Sequence, residues 1–254
     1  MNNNIRIIGG LLCRNEEHRW LRLFLESFKL ICDEVVVVDD ASTDRTVDIC
    51  YEFGCDIHSS LKSGFEENEY IPRLRLWNLC VRKAKINDII IILDADEIID
   101  QIEALKFRHY LLEADIKCET FTLRLFDMWN EKQYRSDLLW TAHNRAWAIA
   151  ARYKPGIYTF AKNKLHCGRL PVETINKNFV FYEDIKIKHL GWSTKIDRQF
   201  KYDRYMRLDS EFIFGIKAQY DSILDENPNL LNYDDFKNVN HLDHDLDEDG
   251  ETIE

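Results

Sequence analysis

Apolar and polar positions along the chain fall into blocks of two periods. Ile5 to Cys13 (IRIIGGLLC, interrupted by Arg6), Val35 to Val38 and Ile89 to Leu93 are short apolar runs. Runs of this length predict strands buried on both faces, as in a parallel sheet. Between the first two, Leu21, Phe24, Leu25 and Phe28 recur at i, i+3, i+4 and i+7, which predicts one face of a helix. A second helix is expected after Asp39-Asp40, opened by Ala41-Ser42-Thr43-Asp44, with Ser42 or Thr43 as N-cap and Asp44 in the favourable first turn. Gly54 to His58 reads as a short third strand. A polar loop (59–72) follows, and then a helix from Arg73 to Lys85 whose apolar side holds Leu74, Trp77, Cys80 or Val81, and Ala84. Strands alternating with helices in this way predict an α/β fold with a Rossmann-like, doubly wound, mostly parallel sheet.

Beyond Asp100 the pattern changes. A helix is predicted over 101–114. Residues 119–127, 140–150 and 178–189 read as further strands, the first by its alternation. An irregular segment with Pro155, Gly156, Gly168 and Pro171 lies between the last two. Asp197 to Phe212 predicts an amphipathic helix with a basic face. The chain therefore divides into 1–100, a smaller antiparallel-type region at 101–224, and a polar stretch at 225–254 expected to be a flexible tail.

Composition sharpens this division. The 254 residues carry a formal net charge of −11, but residues 225–254 hold eleven acids and one lysine. The rest of the chain is close to neutral, which excludes the basic face of a duplex nucleic-acid binder. No apolar run approaches the ~20 residues of a membrane helix. The N-terminus has no signal-peptide pattern, so a cytoplasmic protein is expected. The seven cysteines form no CxxC pair and fit reduced, buried thiols. Asp245, Asp247, Asp249 and Gly250 match the opening of a calcium loop, but the twelfth position such a loop needs lies past Glu254.

The candidate chemistry lies where apolar runs end. Arg14-Asn15-Glu16, Asp39-Asp40 and Asp94-Ala95-Asp96 each follow a predicted strand. Open α/β sheets bind ligands at the carboxyl ends of their strands. Two aspartates one residue apart, on backbone just leaving the sheet, can turn oxygens towards one hard divalent cation such as Mg²⁺ or Mn²⁺. Read alone, the same acids can also cap the next helix.

The order and spacing of these clusters resemble the family 2 glycosyltransferases, inverting enzymes of GT-A fold that use nucleotide sugars. The matching stretches are CRNEEHRWLRLFLESF, VVVVDDASTDRT and ILDADEI, within residues 5–100. The resemblance implies that 1–100 is the nucleotide-sugar half, 101–224 the acceptor side, and the activity a hexosyltransferase-type transfer from a UDP-sugar. It implies that Leu12, Arg14, Asn15 and Glu16 line the nucleotide pocket. Asp40, with Asp39 as its rival, would accept a hydrogen bond from the base. Arg75, with Arg73 second, would reach the base or diphosphate. Asp94 and Asp96 correspond to the DxD pair, with Asp96 on the metal and Asp94 meeting ribose or metal. His189, in KHLGW, is the candidate third ligand, and neutral imidazole suits Mn²⁺. Lys195, Arg198 and Lys201 are basic candidates for the diphosphate.

An inverting transfer needs a base for the acceptor, which is expected to be a glycan, a peptide or a small molecule. No motif fixes that base. His166 and Glu173 are the candidates, with Glu183 and Asp184 as further carboxylates. Two other readings remain. A sugar nucleotidyltransferase would need a Gly-rich, basic loop after the first strand, where this chain has RNEE. A catalytically inactive nucleotide-sugar-binding module would keep the fold without turnover.

Overall fold

The computed structural model describes residues 5–65, 67–162, 165–175 and 178–237. The calcium-like Asp245–Gly250 stretch lies outside them. Strands β1 (Ile7–Cys13), β2 (Glu34–Asp39), β3 (Asp56–Ser59) and β4 (Ile89–Ile92) alternate with helices α1 (Leu21–Ile31), α2 (Thr46–Glu52) and α3 (Tyr70–Lys83). These four strands pair in parallel in the order β3-β2-β1-β4. The register explains their unbroken apolar runs. Ile7, Leu11, Val35, Val37, Ile89 and Ile91 pack on one side with α1, and Ile8, Val36, Val38, Ile90 and Ile92 pack on the other with Leu76, Trp77 and Cys80 of α3. Residues on either face of β1, β2 and β4 are therefore buried, as in a covered parallel sheet, whereas β3 at the edge keeps partial exposure.

Gly9 and Gly10 belong to this packing. A Cβ on Gly9 would lie under 3.0 Å from Cys32 and Phe28, and one on Gly10 under 3.0 Å from Ile92 and Cys80. They bring helices close to the central strand and form no phosphate loop.

The second half extends the same sheet. Strand β5 (Glu97–Ile98), helix α4 (Gln101–Glu113), and strands β6 (Thr120–Asp127), β7 (Gln133–Arg135), β8 (Ala146–Arg152) and β9 (Phe179–His189) follow in the chain. The eight-stranded sheet runs β3-β2-β1-β4-β8-β6-β9-β5. Strand β8 is antiparallel to both β4 and β6, whereas β6 and β9 are parallel. The expected antiparallel acceptor side is thus mixed, because the connection from β8 to β9 is long enough to cross over.

Helices α5 (Lys195–Leu208) and α6 (Lys217–Ser222) and strand β10 (Leu230–Asn232) complete the described chain. The expected tail at 225–254 is structured in its first part. Strand β10 pairs antiparallel with β7, and Tyr233 is buried beside Phe126, because Leu230, Tyr233 and Phe236 supply apolar anchors among the acids. No helix among the described residues is long and apolar enough to cross a membrane. All seven cysteines are free thiols.

Candidate functional site

Three polar strand ends meet on one edge of the sheet, because β1, β2 and β4 are parallel neighbours. Between the first two, the loops bond each other. Asn15 N–H donates to Ser42 Oγ (3.0 Å), Thr43 N–H donates to Asn15 Oδ1 (2.8 Å), and Glu16 N–H donates to Thr46 Oγ1 (2.7 Å). Asn15 takes a left-handed backbone (φ 54°), which asparagine tolerates better than most residues. Ser42 and Thr43 are thus spent on this loop pairing and not on a helix cap. Helix α2 starts later, at Thr46, whose N–H donates to Asp44 Oδ1 (3.0 Å). Leu12 is packed in the apolar core with Val36 and Trp77, and Arg14 is half-buried.

Asp39 and Asp40 differ in how much acceptor capacity is used. Both are buried. Asp40 Oδ2 accepts from Ser63 Oγ (2.6 Å) and Phe65 N–H (3.1 Å), and its Oδ1 accepts from Gly64 N–H (2.7 Å). Asp40 therefore anchors the 63–65 loop. Among the described residues Asp39 accepts longer bonds, from Ser42 N–H at 3.2 and 3.4 Å. The carboxylate with capacity left is Asp39, the reverse of the sequence-based order.

Asp94 ends β4 and is held by Arg73, not Arg75. Arg73 Nη1 donates to Asp94 Oδ1 (2.9 Å) and Nη2 to Asp94 Oδ2 (3.3 Å), while Nε and Nη2 also donate to Glu69 Oε1 (3.3 and 3.2 Å). Arg75 instead donates to Ser60 Oγ (2.6 Å) and the Ser59 carbonyl (3.3 Å), at the β3 edge. Two residues along a helix rotate a side chain by ~200°, so only one of the pair can face the strand end. Burial pushes the Asp94 carboxyl up, and Arg73 and Arg169 outweigh it and hold it below the usual carboxylate range. The Asp94 side chain keeps 35% exposure, whereas Arg73 keeps 7%. Glu97, next in the motif, accepts from Asp94 N–H (2.9 Å) and pairs with Arg169 through both oxygens.

Asp96 faces a second set of groups. The chain turns after Asp96 into β5, which pairs antiparallel with β9, so that Glu97 lies opposite His189. His189 also lies opposite Asp127 at the end of β6. His189 Nδ1 is 2.7 Å from Asp127 Oδ1, and its Nε2 is 3.7 Å from Asp96 Oδ2. Lys201 Nζ on α5 stands 3.4 Å from Asp96 Oδ2 and 3.2 Å from His189 Nε2. Gly191 is the floor beneath them. A Cβ there would lie under 3.0 Å from Lys201 Nζ, Asp96 Oδ2 and His189 Nε2. Burial and Lys201 push the His189 imidazole down, but the Asp96 and Asp127 carboxylates outweigh them and raise it to about 9. Burial pushes the Asp96 carboxyl up, and Lys201, His189 and Arg19 together hold it well below its usual value.

Glu16 belongs to this second set. It is buried, and its Oε1 accepts from Arg19 Nη1 (2.9 Å). Arg19 also bonds Asp197 at the start of α5 (3.1 Å) and reaches within 3.9 Å of Asp96 Oδ2. Burial raises the Glu16 carboxyl to about 8 against the pull of Arg19. Of the other basic candidates, Arg198 turns away onto the Trp129 and Trp192 carbonyls, and Lys195 is exposed at the start of α5.

The donor set partly suits a divalent cation. Two ligands at about 2.1 Å from a shared ion stand about 3–4 Å apart, as Asp96 Oδ2 and His189 Nε2 do. Asp127 behind the imidazole is the second-layer carboxylate that such ligands commonly use. Asp94 does not join them, because both of its oxygens face Arg73. No group of three or more His, Cys, Asp or Glu among the described residues is arranged to hold a metal. The remaining positions of such an ion would fall to phosphate and water.

The comparisons with known proteins follow this geometry only distantly. No family model matches the sequence. An uncharacterized protein of Mycobacterium tuberculosis and one of Mycobacterium bovis are each 23% identical over 219 residues, covering 81% of this chain and 51% of theirs. The chain thus spans about half the length of the curated relatives it matches. Among solved structures, Staphylococcus aureus TarS has a TM-score of 0.47 at 17% identity, over 87% of this chain and 42% of that one. Its 1–349 fragment in complex with UDP-GlcNAc has a TM-score of 0.43 at 18% identity, over 87% and 70%. Glucosyl-3-phosphoglycerate synthase of M. tuberculosis, in complex with Mn²⁺ and UDP-glucose, has a TM-score of 0.36 at 19% identity, over 48% and 44%.

The two base candidates are placed differently. His166 N–H donates to Glu69 Oε2 (2.9 Å), so the residue sits one link from Arg73 and Asp94. Its exposed ring has Nε2 3.5 Å from Tyr220 Oη, and that hydroxyl donates to Asp209 Oδ2 (3.0 Å). Its backbone is left-handed (φ 57°), a conformation that costs most residues about 1 kcal/mol and often accompanies function. Glu173 instead accepts from Thr159 N–H (2.8 Å) and Thr159 Oγ1 (2.5 Å), so both oxygens close its own loop. Asp184 pairs with Tyr110 and Lys106 on α4, and Glu183 is exposed. Arg19, Arg73, Glu69, Arg169 and Lys201 complete the cluster. All but Lys201 went unassigned or second-ranked from sequence, since only long-range pairing identifies them.

Proposed function

We propose that this chain transfers a sugar from a nucleotide diphosphate donor, a UDP-sugar, to an acceptor hydroxyl with inversion at the anomeric carbon. The acceptor would be a glycan, a peptide or a small molecule. The reading is supported above all by one observation. Asp96 and His189 converge at 3.7 Å beside Asp94, at the carboxyl ends of parallel strands that also carry Asp39. Metal chemistry and nucleotide recognition thus share one sheet edge.

Asp39 accepts the hydrogen bond of the base N–H. Arg73 fixes Asp94 at the donor's ribose or diphosphate. Asp96 Oδ2 and His189 Nε2 are the atoms that would hold Mn²⁺ or Mg²⁺, which as a Lewis acid neutralises charge on the departing diphosphate. The acceptor oxygen bonds the anomeric carbon as the bond from that carbon to the diphosphate oxygen breaks. The acceptor proton passes to the His166 imidazole, and the nucleoside diphosphate leaves with the electron pair. His166 is preferred to Glu173 because the residue is exposed and its backbone N–H bonds Glu69, the partner of Arg73, whereas both Glu173 oxygens close their own loop.

The test is a thermal-shift panel of nucleotides and UDP-sugars with and without Mn²⁺, followed by turnover assays on those that stabilise. Binding stabilises by mass action. Asp96→Ala is expected to abolish metal-dependent stabilisation by UDP together with turnover. If both survive this change, the proposed centre is wrong. One observation favours a second reading, a binding module without turnover. Both DxD carboxylates already face cations of the chain, Arg73 and Lys201. UDP-sugar binding with neither transfer nor hydrolysis would select that reading.

A further inference from the structure

Lys201 stands where the bridging cation of Asp96 and His189 would sit. Its Nζ is 3.4 Å from Asp96 Oδ2 and 3.2 Å from His189 Nε2, and those two atoms are 3.7 Å apart. The three atoms close a triangle above Gly191, whose missing side chain leaves the space they share. The position is enclosed: the side chains of Lys201, Asp96 and His189 keep 14%, 12% and 17% exposure. The ammonium also lies 4.2 Å from the Trp192 ring centroid, an attraction that holds it over the site. The lysine is carried by α5, a helix with no fully buried residue, so the side chain is anchored by these contacts and not by core packing.

A divalent ion held by Asp96 Oδ2 and His189 Nε2 would lie directly against the Lys201 ammonium, which stands 3.4 and 3.2 Å from the same two atoms. At such separations like charges repel strongly inside a protein. A divalent ion on Asp96 and His189 therefore has to move the ammonium aside. An ammonium displaced from this enclosed position requires a new anion, and the donor diphosphate is the anion that arrives with the metal.

We propose that Lys201 is a resident cation that excludes divalent metal from Asp96 and His189 until a nucleoside diphosphate binds and receives the ammonium. The protein then takes up metal and nucleotide together, and the free protein binds metal poorly. In this scheme Lys201 pairs with the diphosphate and forms no covalent bond to a reacting atom. The inference rests on the metal reading given above.

Mn²⁺ binding by electron paramagnetic resonance tests it without any measurement of activity. Wild type, Lys201→Met and Lys201→Arg are titrated with Mn²⁺ alone and with UDP present. Lys201→Met removes the charge and keeps most of the stem, and thermal unfolding shows whether it is folded. For wild type, UDP is expected to tighten Mn²⁺ binding by about tenfold or more, equivalent to about 1.4 kcal/mol. Lys201→Met is expected to bind Mn²⁺ without UDP about tenfold more tightly than wild type, and to lose most of the coupling. Lys201→Arg, which keeps the charge, is expected to retain weak binding alone. If Lys201→Met binds Mn²⁺ no better than wild type while Asp96→Ala abolishes Mn²⁺ binding with UDP, the resident-cation inference fails and the metal site stands. If neither wild type nor Lys201→Met binds Mn²⁺ with UDP, the metal reading fails and takes the inference with it. Should Lys201→Met not fold, Lys201→Gln takes its place in the same titration: tighter Mn²⁺ binding without UDP than wild type supports the inference, and unchanged binding overturns it.

Discussion

His189 Nδ1 lies 2.7 Å from Asp127 Oδ1, and this bond turns the opposite ring nitrogen towards Asp96. Strand pairing sets the arrangement, since His189 is the last residue of β9 and sits beside both Asp127 of β6 and the DxD segment at β5. The imidazole direction is therefore fixed by a carboxylate the sequence alone does not single out. Replacing Asp127 by Asn is expected to weaken Mn²⁺ binding in the presence of UDP by about 10–100-fold, the usual cost of losing such a support. Mn²⁺ titration by magnetic resonance checks this, and an unchanged affinity would show that the Asp127 charge gives His189 no support as a ligand.

Arg73 and Arg75 differ in cost. Arg73 is buried between Asp94 and Glu69, so Arg73→Met leaves Glu69 without its counter-charge and Asp94 with Arg169 alone. Breaking such a buried pair costs about 3–5 kcal/mol. Among the described residues Arg75 bonds Ser59 and Ser60 near the surface, and Arg75→Met is expected to cost under ~1 kcal/mol. Urea unfolding of the two variants, side by side, decides the assignment.

Gly191 admits no side chain. A Cβ would collide with three polar atoms at once, and Lys201 alone has a flexible stem with which to retreat. Gly191→Ala is expected to lower stability by about 1–3 kcal/mol and to abolish Mn²⁺-dependent binding of UDP. Calorimetric titration with UDP, with and without Mn²⁺, reads the second effect separately from the first.

Two buried groups give the fold a common pH dependence. Glu16 is raised from 4.5 to about 8, and His189 from 6.5 to about 9. Each binds its proton more tightly folded than unfolded. Each contribution is therefore complete below the unfolded value and is lost as pH rises through the folded one. Stability is expected to fall between pH 5 and pH 8 through Glu16, at about 1.4 kcal/mol per pH unit at most. Glu16→Gln keeps the acceptor for Arg19 and should flatten that slope. Thermal unfolding of both proteins across this range checks it, and parallel curves would show that Glu16 ionises freely.

His166 and Glu173 separate by kinetics. His166→Ala is expected to lower turnover by about 10²–10⁴-fold with UDP affinity retained, as loss of a general base does. Glu173→Gln, which loosens a loop contact to Thr159, is expected to leave turnover within a few-fold of wild type. A His166→Ala enzyme with full turnover would return the base to the unassigned carboxylates.

The sequence by itself determined the local part of this architecture. Continuous apolar runs identified β1, β2 and β4 because strands covered on both faces leave no room for alternation. The acids that stop those runs had to stand at the sheet's edge, because chain direction is the same in every strand of a parallel ladder. Periodicity states which face a residue takes, but not which distant residue it meets there. Only the tertiary structure decided that Arg73 and not Arg75 holds Asp94, that Asp39 keeps the capacity Asp40 spends on the 63–65 loop, and that 225–237 packs where a tail was expected. The two-residue strand β5 is too short to carry a pattern, yet its pairing with β9 carries His189 to Asp96. Lys201 then reaches the same two atoms from α5, and that meeting depends on how the helix packs over Gly191, which no local period encodes.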